Sequence, residues 1–115
     1  MRFYMHAKIH KATVTQADVA YVGSITIDKA LLNATGLAAH EKVLVVSNTS
    51  GARLETYIIE GEENSGIISM NGAAAHLIKA GEEIIIIGFE LADKAPKAKA
   101  ILVDKDNRVL RDMNE

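Results

Sequence analysis

The sequence contains no cysteine and no tryptophan, only two phenylalanines and one proline, and no long hydrophobic run. Without cysteine there is no disulfide framework, no thiol nucleophile and no cysteine-based zinc site. The longest strongly apolar run, Ile84–Phe89, is far shorter than the roughly 20 residues of a membrane helix. The N-terminus carries His6, Lys8 and His10 where a signal peptide would have an apolar segment. We therefore expect a cytoplasmic protein without a membrane partner.

Basic residues are not in excess either. Lys and Arg number 13 against 15 Asp and Glu, which gives a net charge of −2. Phosphate binding usually requires a basic surface, so this balance argues against nucleic acid as a partner. The chain is instead 49% apolar and 24% charged, which is the composition of a globular protein. Its 115 residues suit one core, which predicts a single domain over residues 1–115.

Abundant isoleucine and valine favour strands, because β-branched side chains pack well on a pleated surface. Strict alternation over Arg2–His10 predicts a first strand with Phe3, Met5, Ala7 and Ile9 on one face. Further strands are predicted at Val22–Ile27, Lys42–Asn48, Arg53–Glu60, Ile67–Met70, Glu83–Phe89 and in a last hairpin of Ile101–Val103 with Val109–Leu110. The apolar character of Glu83–Phe89 does not alternate, which predicts burial on both faces.

The predicted helices are few and short. Asp28 can cap the start of a first helix, which Gly36 ends. A second helix of one to two turns is predicted at Ala73–Ile78. Thr15–Asp18 resembles the capping signal of a short helical turn. Six or seven short strands with short helices predict an all-β, mainly β fold in the form of a small β-barrel.

The four histidines do not form a metal site. His6 and His10 are four residues apart on a predicted strand, where about 3.3 Å per residue separates them by about 13 Å. That distance is too great for two ligands of one metal ion. His40 and His76 have no partners at ligand spacing. We predict no bound metal.

Two short motifs are compatible with a functional site, although each is a weak signal when it is considered alone. Small side chains in Asn71-Gly72-Ala73-Ala74 can expose backbone N–H groups to an anion, although such runs are more often plain turn-to-helix connections. The Ser24 hydroxyl can attack the carbonyl of Gly23 if the backbone is strained, but most Gly-Ser pairs are only turns.

A third pattern lies on the predicted strand Arg53–Glu60. Arg53 and Tyr57 fall on one face and Thr56 on the other. An arginine near a tyrosine can pair a substrate carboxylate and supply a phenolic proton. The same residues are equally typical of a solvated strand face, and this alternative applies to Lys8 and His10 on the first strand.

Four segments taken together are specific. They are Lys8-Ile9-His10, Tyr21-Val22-Gly23-Ser24-Ile25-Thr26-Ile27-Asp28, Arg53-Leu54-Glu55-Thr56-Tyr57 and Met70-Asn71-Gly72-Ala73-Ala74-Ala75. In this order and separation the chain, from about Met1 to Leu91, resembles the pyruvoyl-dependent aspartate 1-decarboxylases, the bacterial family that makes β-alanine for pantothenate synthesis. Leu54 and Glu55 depart from the pattern, since the family often has Phe and Ser there.

The resemblance implies a double-ψ β-barrel, a homotetramer and self-cleavage between Gly23 and Ser24. The products would be a β chain of residues 1–23 and an α chain of residues 24–115, with a pyruvoyl group derived from Ser24. That group would replace pyridoxal phosphate, form a Schiff base with L-aspartate and accept electrons as CO2 leaves. Whether cleavage is spontaneous or requires a maturation factor stays open.

The resemblance also assigns roles to individual residues. Ser24 and Tyr57 would be catalytic, with Tyr57 as the proton donor, and Thr56 would stabilise the oxyanion formed during cleavage. His10 and Tyr21 would lie behind the residues that touch substrate. The residues expected to bind substrate are Lys8, Arg53, Thr56, Asn71, Gly72, Ala73 and Ala74.

Three other hypotheses remain at this point. A non-catalytic oligomeric β-barrel that serves as an interaction module would remain a single chain. A pyruvoyl decarboxylase for another amino acid, such as arginine, would need an acidic group in its pocket, whereas the candidates here are Lys8 and Arg53. A small nucleic-acid-binding barrel fits poorly with a net charge of −2 and few aromatic residues.

Overall fold

The computed structural model describes residues 1–113, and this part of the chain forms nine strands and two short helices. The elements are β1 (Arg2–Thr13), β2 (Gln16–Asp18), β3 (Ser24–Asp28), α1 (Lys29–Thr35), β4 (Lys42–Ser47), β5 (Arg53–Gly61), β6 (Ile68–Asn71), α2 (Ala74–Leu77), β7 (Glu83–Ala92), β8 (Lys99–Val103) and β9 (Val109–Asp112). The predicted all-β class with short helices is confirmed. Within the same residues no helix is long and apolar enough to cross a membrane.

The strands form one sheet in the order β2-β6-β3-β5-β4-β7-β1-β8-β9. The pairs β2–β6, β3–β5 and β1–β8 are parallel, and the others are antiparallel. Hydrogen bonds also join regions that are distant in this order. The Thr15 N–H, just after β1, donates to the Ile68 carbonyl of β6 at 2.8 Å. The Asn107 amide, between β8 and β9, donates to the Gly66 carbonyl at 2.8 Å. These contacts bring opposite ends of the sheet together and make the β-sheet domain compact.

Strand β5 changes partners halfway along its length. Its first half pairs antiparallel with β4, where Tyr57 lies opposite Lys42. From Ile58 onward it pairs parallel with β3, beginning with Ile25 opposite Ile58. Extension of that register by one residue sets Ser24, the first residue of β3, beside Tyr57. The start of β3 therefore meets the middle of β5.

The core consists largely of β-branched side chains, as the composition predicts. Isoleucines from six strands are at most 1% exposed: Ile9, Ile25, Ile27, Ile58, Ile68, Ile84, Ile86 and Ile101. Full burial of such a side chain contributes roughly 1.5–3 kcal/mol, and its stiff χ1 angle costs little further entropy when it is fixed in a strand. This rigid core holds β3, β5 and β6 together, and these strands carry the site.

The prediction that β7 is buried on both faces is wrong. Ile84 and Ile86 are fully buried, whereas Ile85 and Ile87 are only half-buried. The core therefore lies on one side of the strand. The other side is apolar in sequence yet remains partly open to solvent in the isolated chain.

The predicted alternation in β1 is correct only for the second half of the strand. Ala7 and Ile9 are 0% exposed, whereas Phe3 is 75% and Met5 39% exposed. A β-bulge between Met5 and Ala7 shifts the register against β7, so the face that points to the core changes at this position. The first residues of β1 extend beyond the core together with the end of β7.

The predicted helical turn at Thr15–Asp18 is wrong, since its last three residues form β2 beside β6. The side chains that resembled a cap have other partners. The Thr15 hydroxyl donates to the Ile68 carbonyl at 3.0 Å, and the Asp18 carboxylate accepts from the Ala20 N–H at 2.8 Å. Strand pairing prevails here because a four-residue capping signal is weak in comparison.

The other local predictions are close to the structure. Helix α1 is confirmed: Asp28 accepts from the Ala30 N–H at 2.8 Å, and Gly36 ends the helix with a φ of +80°. The hairpins β4–β5 and β8–β9 are confirmed as well. The strand predicted from Val22 begins at Ser24, which leaves Gly23 just outside the sheet.

Candidate active site

Five of the predicted site residues line one cavity of about 400 Å³. It lies where the start of β3 meets β5 and α2. The cavity is lined by Gly23, Leu54, Glu55, Thr56, Tyr57, Ala73, Ala74 and Leu77. Residues that are up to 54 positions apart in the chain thus form one concave surface beside the Gly23–Ser24 bond.

Ser24 is fully buried, and its hydroxyl has two hydrogen bonds. The hydroxyl donates to the Val22 carbonyl at 3.1 Å and accepts from the Asn71 side-chain amide at 2.9 Å. The register of β3 against β6 places Ser24 directly opposite Asn71. The Ser24 hydroxyl is therefore held at a fixed position beside the peptide bond that joins Gly23 to Ser24.

Asn71 is the centre of a buried polar network. Its amide nitrogen donates to the hydroxyls of Ser24 and Thr26, each at 2.9 Å, and its amide oxygen accepts from the Ser69 hydroxyl at 3.0 Å. Because the oxygen and both N–H groups have partners, the orientation of the amide is determined. Asn71 can therefore present only an N–H group to Ser24.

Gly72 packs directly under the segment that precedes Ser24. Its φ is +70°, and a Cβ at this position would lie 2.6 Å from both the Cα and the nitrogen of Gly23. Its N–H donates to the Asp18 carbonyl at 2.8 Å, so this N–H is engaged within the chain. Ala73 and Ala74, which follow it, form part of the cavity wall.

Tyr57 is half-buried and borders a second, adjoining cavity of about 320 Å³ with Lys42, Glu55 and Thr56. The Lys42 ammonium lies 3.1 Å from the Glu55 carboxylate, and both side chains are exposed. The His40 ring stacks on the Tyr57 ring. The predicted proton donor is thus surrounded by an ion pair and an imidazole.

Sequence reasoning missed several residues of this region, namely Thr26, His40, Lys42 and Ser69. Lys42 could have been found by counting back through the hairpin turn, which sets it opposite Tyr57. Thr26 and Ser69 face each other across β3 and β6, and no local motif distinguishes them from ordinary strand residues. His40 was treated only as a potential metal ligand.

Other predicted site residues do not line the cavity in this single chain. Lys8 and His10 lie on β1, which β5, β4 and β7 separate from β3 in the sheet order. Arg53 is exposed at the start of β5, opposite Val46. Tyr21 is 64% exposed and borders a different cavity of about 410 Å³, which Asn71 also lines.

His10 has a distinct electrostatic environment. Its pKa is lowered from the ordinary value, first because burial disfavours the charged ring and then because Lys8 and Lys11 repel it, while Glu83 acts in the opposite direction. The ring nitrogen Nδ1 is buried and has no hydrogen-bond partner. The neutral form of this histidine is therefore favoured.

Among residues 1–113 no three His, Asp or Glu side chains cluster in a way that could hold a metal ion. The chemical groups around the cavity are instead hydroxyls, an amide, a phenol and backbone N–H groups. Such a set can support attack by a hydroxyl on an amide carbonyl, stabilisation of an oxyanion and proton donation.

Comparisons with known proteins identify the family of this chain. A family model described as aspartate decarboxylase matches residues 1–110. The aspartate 1-decarboxylase of Bacillus pumilus is 51% identical over 112 residues, which cover 94% of this chain and 88% of the relative. The aspartate 1-decarboxylase of Clostridium botulinum is 53% identical over 109 residues, which cover 91% of this chain and 88% of the relative. The chain belongs to the aspartate decarboxylase family.

Proposed function

We propose that this chain decarboxylates L-aspartate to β-alanine and CO2 and thereby supplies pantothenate and coenzyme A synthesis. Relatives named aspartate 1-decarboxylase that are about 50% identical over nearly the whole chain support this activity. The observation that carries the proposal is the buried Ser24 hydroxyl, held by Asn71 and directly following Gly23, which lines the cavity. Its position next to Gly23 is where a self-generated pyruvoyl group would arise.

The first step is self-cleavage. The Ser24 hydroxyl attacks the Gly23 carbonyl, and the acyl group moves from nitrogen to oxygen to give an ester. β-Elimination breaks the ester and releases the Gly23 carboxylate, and water then replaces the nitrogen of residue 24 as ammonia leaves. The fragments are residues 1–23 and 24–115. Residues 114 and 115 of the larger fragment lie outside the described part of the chain.

The residues present fit this step. Gly23 is exposed and has no side chain to hinder attack, and Gly72 allows the backbone around it to approach closely. The Thr56 hydroxyl, on the cavity wall with Gly23, stabilises the oxyanion of the tetrahedral intermediate. Asn71 keeps the hydroxyl of Ser24 oriented.

In the mature enzyme the pyruvoyl ketone at position 24 serves as an electron sink for decarboxylation. Tyr57 donates the proton that replaces the lost carboxyl group. Ala73 and Ala74, with Asn71 and Gly72 beside them, shape the wall against which aspartate lies. Arg53 and Lys8 are assigned to the substrate carboxylates, since a guanidinium can form two parallel hydrogen bonds with a carboxylate. Neither residue lines the cavity within one chain, so this part of the proposal depends on a further copy in the homotetramer. His10 and Tyr21 support these residues from behind.

The proposal includes a cytoplasmic homotetramer. Exposed apolar side chains at the ends of β1 and β7, such as Phe3 at 75% and Leu91 at 50% exposure, support association with further copies. A maturation factor that accelerates cleavage is compatible with the exposed segment before Ser24, where Val22 is 75% exposed.

Intact-mass spectrometry of wild-type and Ser24→Ala protein tests the proposal. Wild-type protein is expected to split into a fragment ending at Gly23 and a larger fragment with a blocked N-terminus, and to release CO2 from L-aspartate. Ser24→Ala removes the nucleophile and should give one intact, inactive chain. Ser50→Ala serves as a matched control, because it removes an exposed hydroxyl in the turn before β5 that does not touch the Ser24–Asn71 network.

Three outcomes would contradict the proposal. Wild-type protein that remains one chain even with cell extract would indicate an interaction module. Cleaved protein that decarboxylates another amino acid but not aspartate would change the substrate. Cleavage of Ser24→Ala at the same bond would exclude the mechanism of processing.

A further inference from the structure

His40 lies directly against Tyr57. The two rings stack with their centroids 6.4 Å apart and their planes inclined by 16°, which is within the range of favourable aromatic pairs. Tyr57 is only half-buried and borders the cavity. The imidazole, which is itself exposed, therefore stacks on one face of a ring that the protein interior does not fully enclose.

The backbone fixes His40 relative to Tyr57. The His40 N–H donates to the Ile58 carbonyl at 2.8 Å, and the Ile58 N–H donates to the Glu41 carbonyl at 3.1 Å. These bonds join the turn before β4 to the residue that directly follows Tyr57. His40 adopts a φ of +71°, a left-handed conformation that is uncommon for residues other than glycine, although Asn, Asp and His accept it most readily.

Glu41 anchors the same turn from the other side. Its carboxylate lies 2.5 Å from His6 Nε2 and accepts from the Ala38 N–H at 3.1 Å. This pair packs over Gly88, where a Cβ would lie 3.0 Å from both the His6 and the Glu41 atoms. His40 thus projects from a turn that is tied to β1, β5 and β7, which makes it a suitable support for a neighbouring ring.

We propose that His40 is a positioning residue that holds the Tyr57 phenol in its proton-donating orientation. The inference rests on the proposed function, in which Tyr57 is the donor. His40 acts by packing and takes no part in the proton transfer itself. A donor that is displaced by even a small distance transfers its proton more slowly. Binding of aspartate does not depend on the phenol orientation, so loss of His40 lowers kcat and leaves KM unchanged.

Three substitutions at position 40 separate the effect of the ring from that of the backbone. His40→Asn tolerates the left-handed backbone and removes the ring, and we expect kcat to fall about 2- to 12-fold, the range that corresponds to one aromatic pair. KM for aspartate should stay within about twofold, and cleavage at Gly23 should be complete. His40→Phe keeps a ring and His40→Ala does not, while both strain the left-handed backbone, so His40→Phe should retain more of the wild-type kcat than His40→Ala. Ala39→Asn, at an exposed neighbour, is the matched control and should behave as wild type.

A spectroscopic measurement tests the contact without reference to activity. The chain has only three tyrosines, so ring-13C-tyrosine labelling gives three sets of NMR signals, and Tyr57→Phe identifies that of Tyr57. This signal should shift in His40→Asn and not in Ala39→Asn. In the Tyr57→Phe background, His40→Asn should lower the residual rate no further, because the phenol that it positions is absent.

The proposal is overturned if His40→Asn leaves both kcat and the Tyr57 signal unchanged, or if His40→Phe loses as much activity as His40→Ala. Failure of the proposed function has a different signature. Wild-type protein would then not decarboxylate aspartate, while the Tyr57 signal would still report whether His40 packs against the ring.

Discussion

Ser24, Asn71 and Ser69 form a short chain of buried hydrogen bonds. A buried hydroxyl needs partners because desolvation without hydrogen bonds is costly, and Asn71 supplies one to Ser24. Ser24 and Asn71 could be singled out from the sequence, since they belong to the motifs Gly-Ser and Asn-Gly. Ser69 could not, because its contact with Asn71 only becomes relevant once β6 is paired with β3.

Arg53 does not line the cavity of the single chain, although the proposal assigns it a substrate carboxylate. Its role is therefore tested directly by substitution. If its guanidinium binds a substrate carboxylate, Arg53→Ala loses a charge-assisted hydrogen bond of about 1.5–3 kcal/mol. That energy corresponds to a decrease of roughly 10- to 150-fold in kcat/KM for aspartate. Arg53→Lys keeps the charge but not the two-pronged geometry, and should lose less. Steady-state kinetics on fully cleaved protein measures both.

Intact mass and native mass are the controls for the arginine variants, because incomplete cleavage or altered assembly would lower activity without any loss of substrate contact. Wild-type kcat/KM in normally processed Arg53→Ala would show that this guanidinium does not hold the substrate. Lys8 would then be the remaining candidate.

At the scale of elements, the turn between β6 and α2 determines how closely the chain can pack beside Ser24. Gly72 combines a φ of +70° with a position where a Cβ would lie 2.6 Å from the backbone of Gly23. The Asn-Gly pair was visible in the sequence as a turn signal. Its contact with a segment almost fifty residues earlier was not, because that contact follows from the pairing of β3 with β6.

Gly72→Ala should therefore lower the free energy of unfolding by about 1–3 kcal/mol, through strain at positive φ and displacement of the Gly23 backbone. It should also slow cleavage. Gly51→Ala is the matched control, since Gly51 has a φ of +79° but nothing within 4 Å of its Cβ position. Urea unfolding in a Ser24→Ala background measures stability without cleavage, and a mass-spectrometric time course measures processing. Equal effects of the two substitutions would mean that the close approach to Gly23 is unimportant.

At the scale of the whole molecule, His10 couples stability to pH. Its pKa in the folded protein is lowered, chiefly by burial, so the unfolded chain binds this proton more readily than the folded one. The contribution of His10 to the free energy of unfolding is therefore fully present above about pH 6.5, the ordinary pKa of histidine. This contribution is lost as the pH falls from about 6.5 towards the lowered pKa of the folded protein.

Wild type and His10→Gln should thus differ in the pH dependence of unfolding. The variant lacks this titration, so the free energy of unfolding of the wild type should decrease relative to the variant between pH 8 and pH 5. Carboxylates titrate in both proteins and cancel in the difference. Urea denaturation at several pH values provides the measurement. A difference that is constant or that moves in the opposite direction would contradict the lowered pKa.

Features that depend on neighbouring residues follow from the sequence alone. The abundance of isoleucine and valine specified a β fold, Asp28 and Gly36 specified the two ends of α1, and the spacing of turn residues specified the hairpins. Caps, turns and alternation act within a few residues. The family motifs were equally local, and they identified Ser24, Tyr57 and Asn71 before any contact between them was known.

Which of these residues come into contact depends on the tertiary structure. Thr15–Asp18 had a helical capping signal and became an edge strand because β6 offered it a partner. The change of partner in β5, from β4 to β3, brought Tyr57 to Ser24 and left Lys8 on a distant strand. Strand register and pairing order depend on how the whole core packs, and no short stretch of residues contains that information.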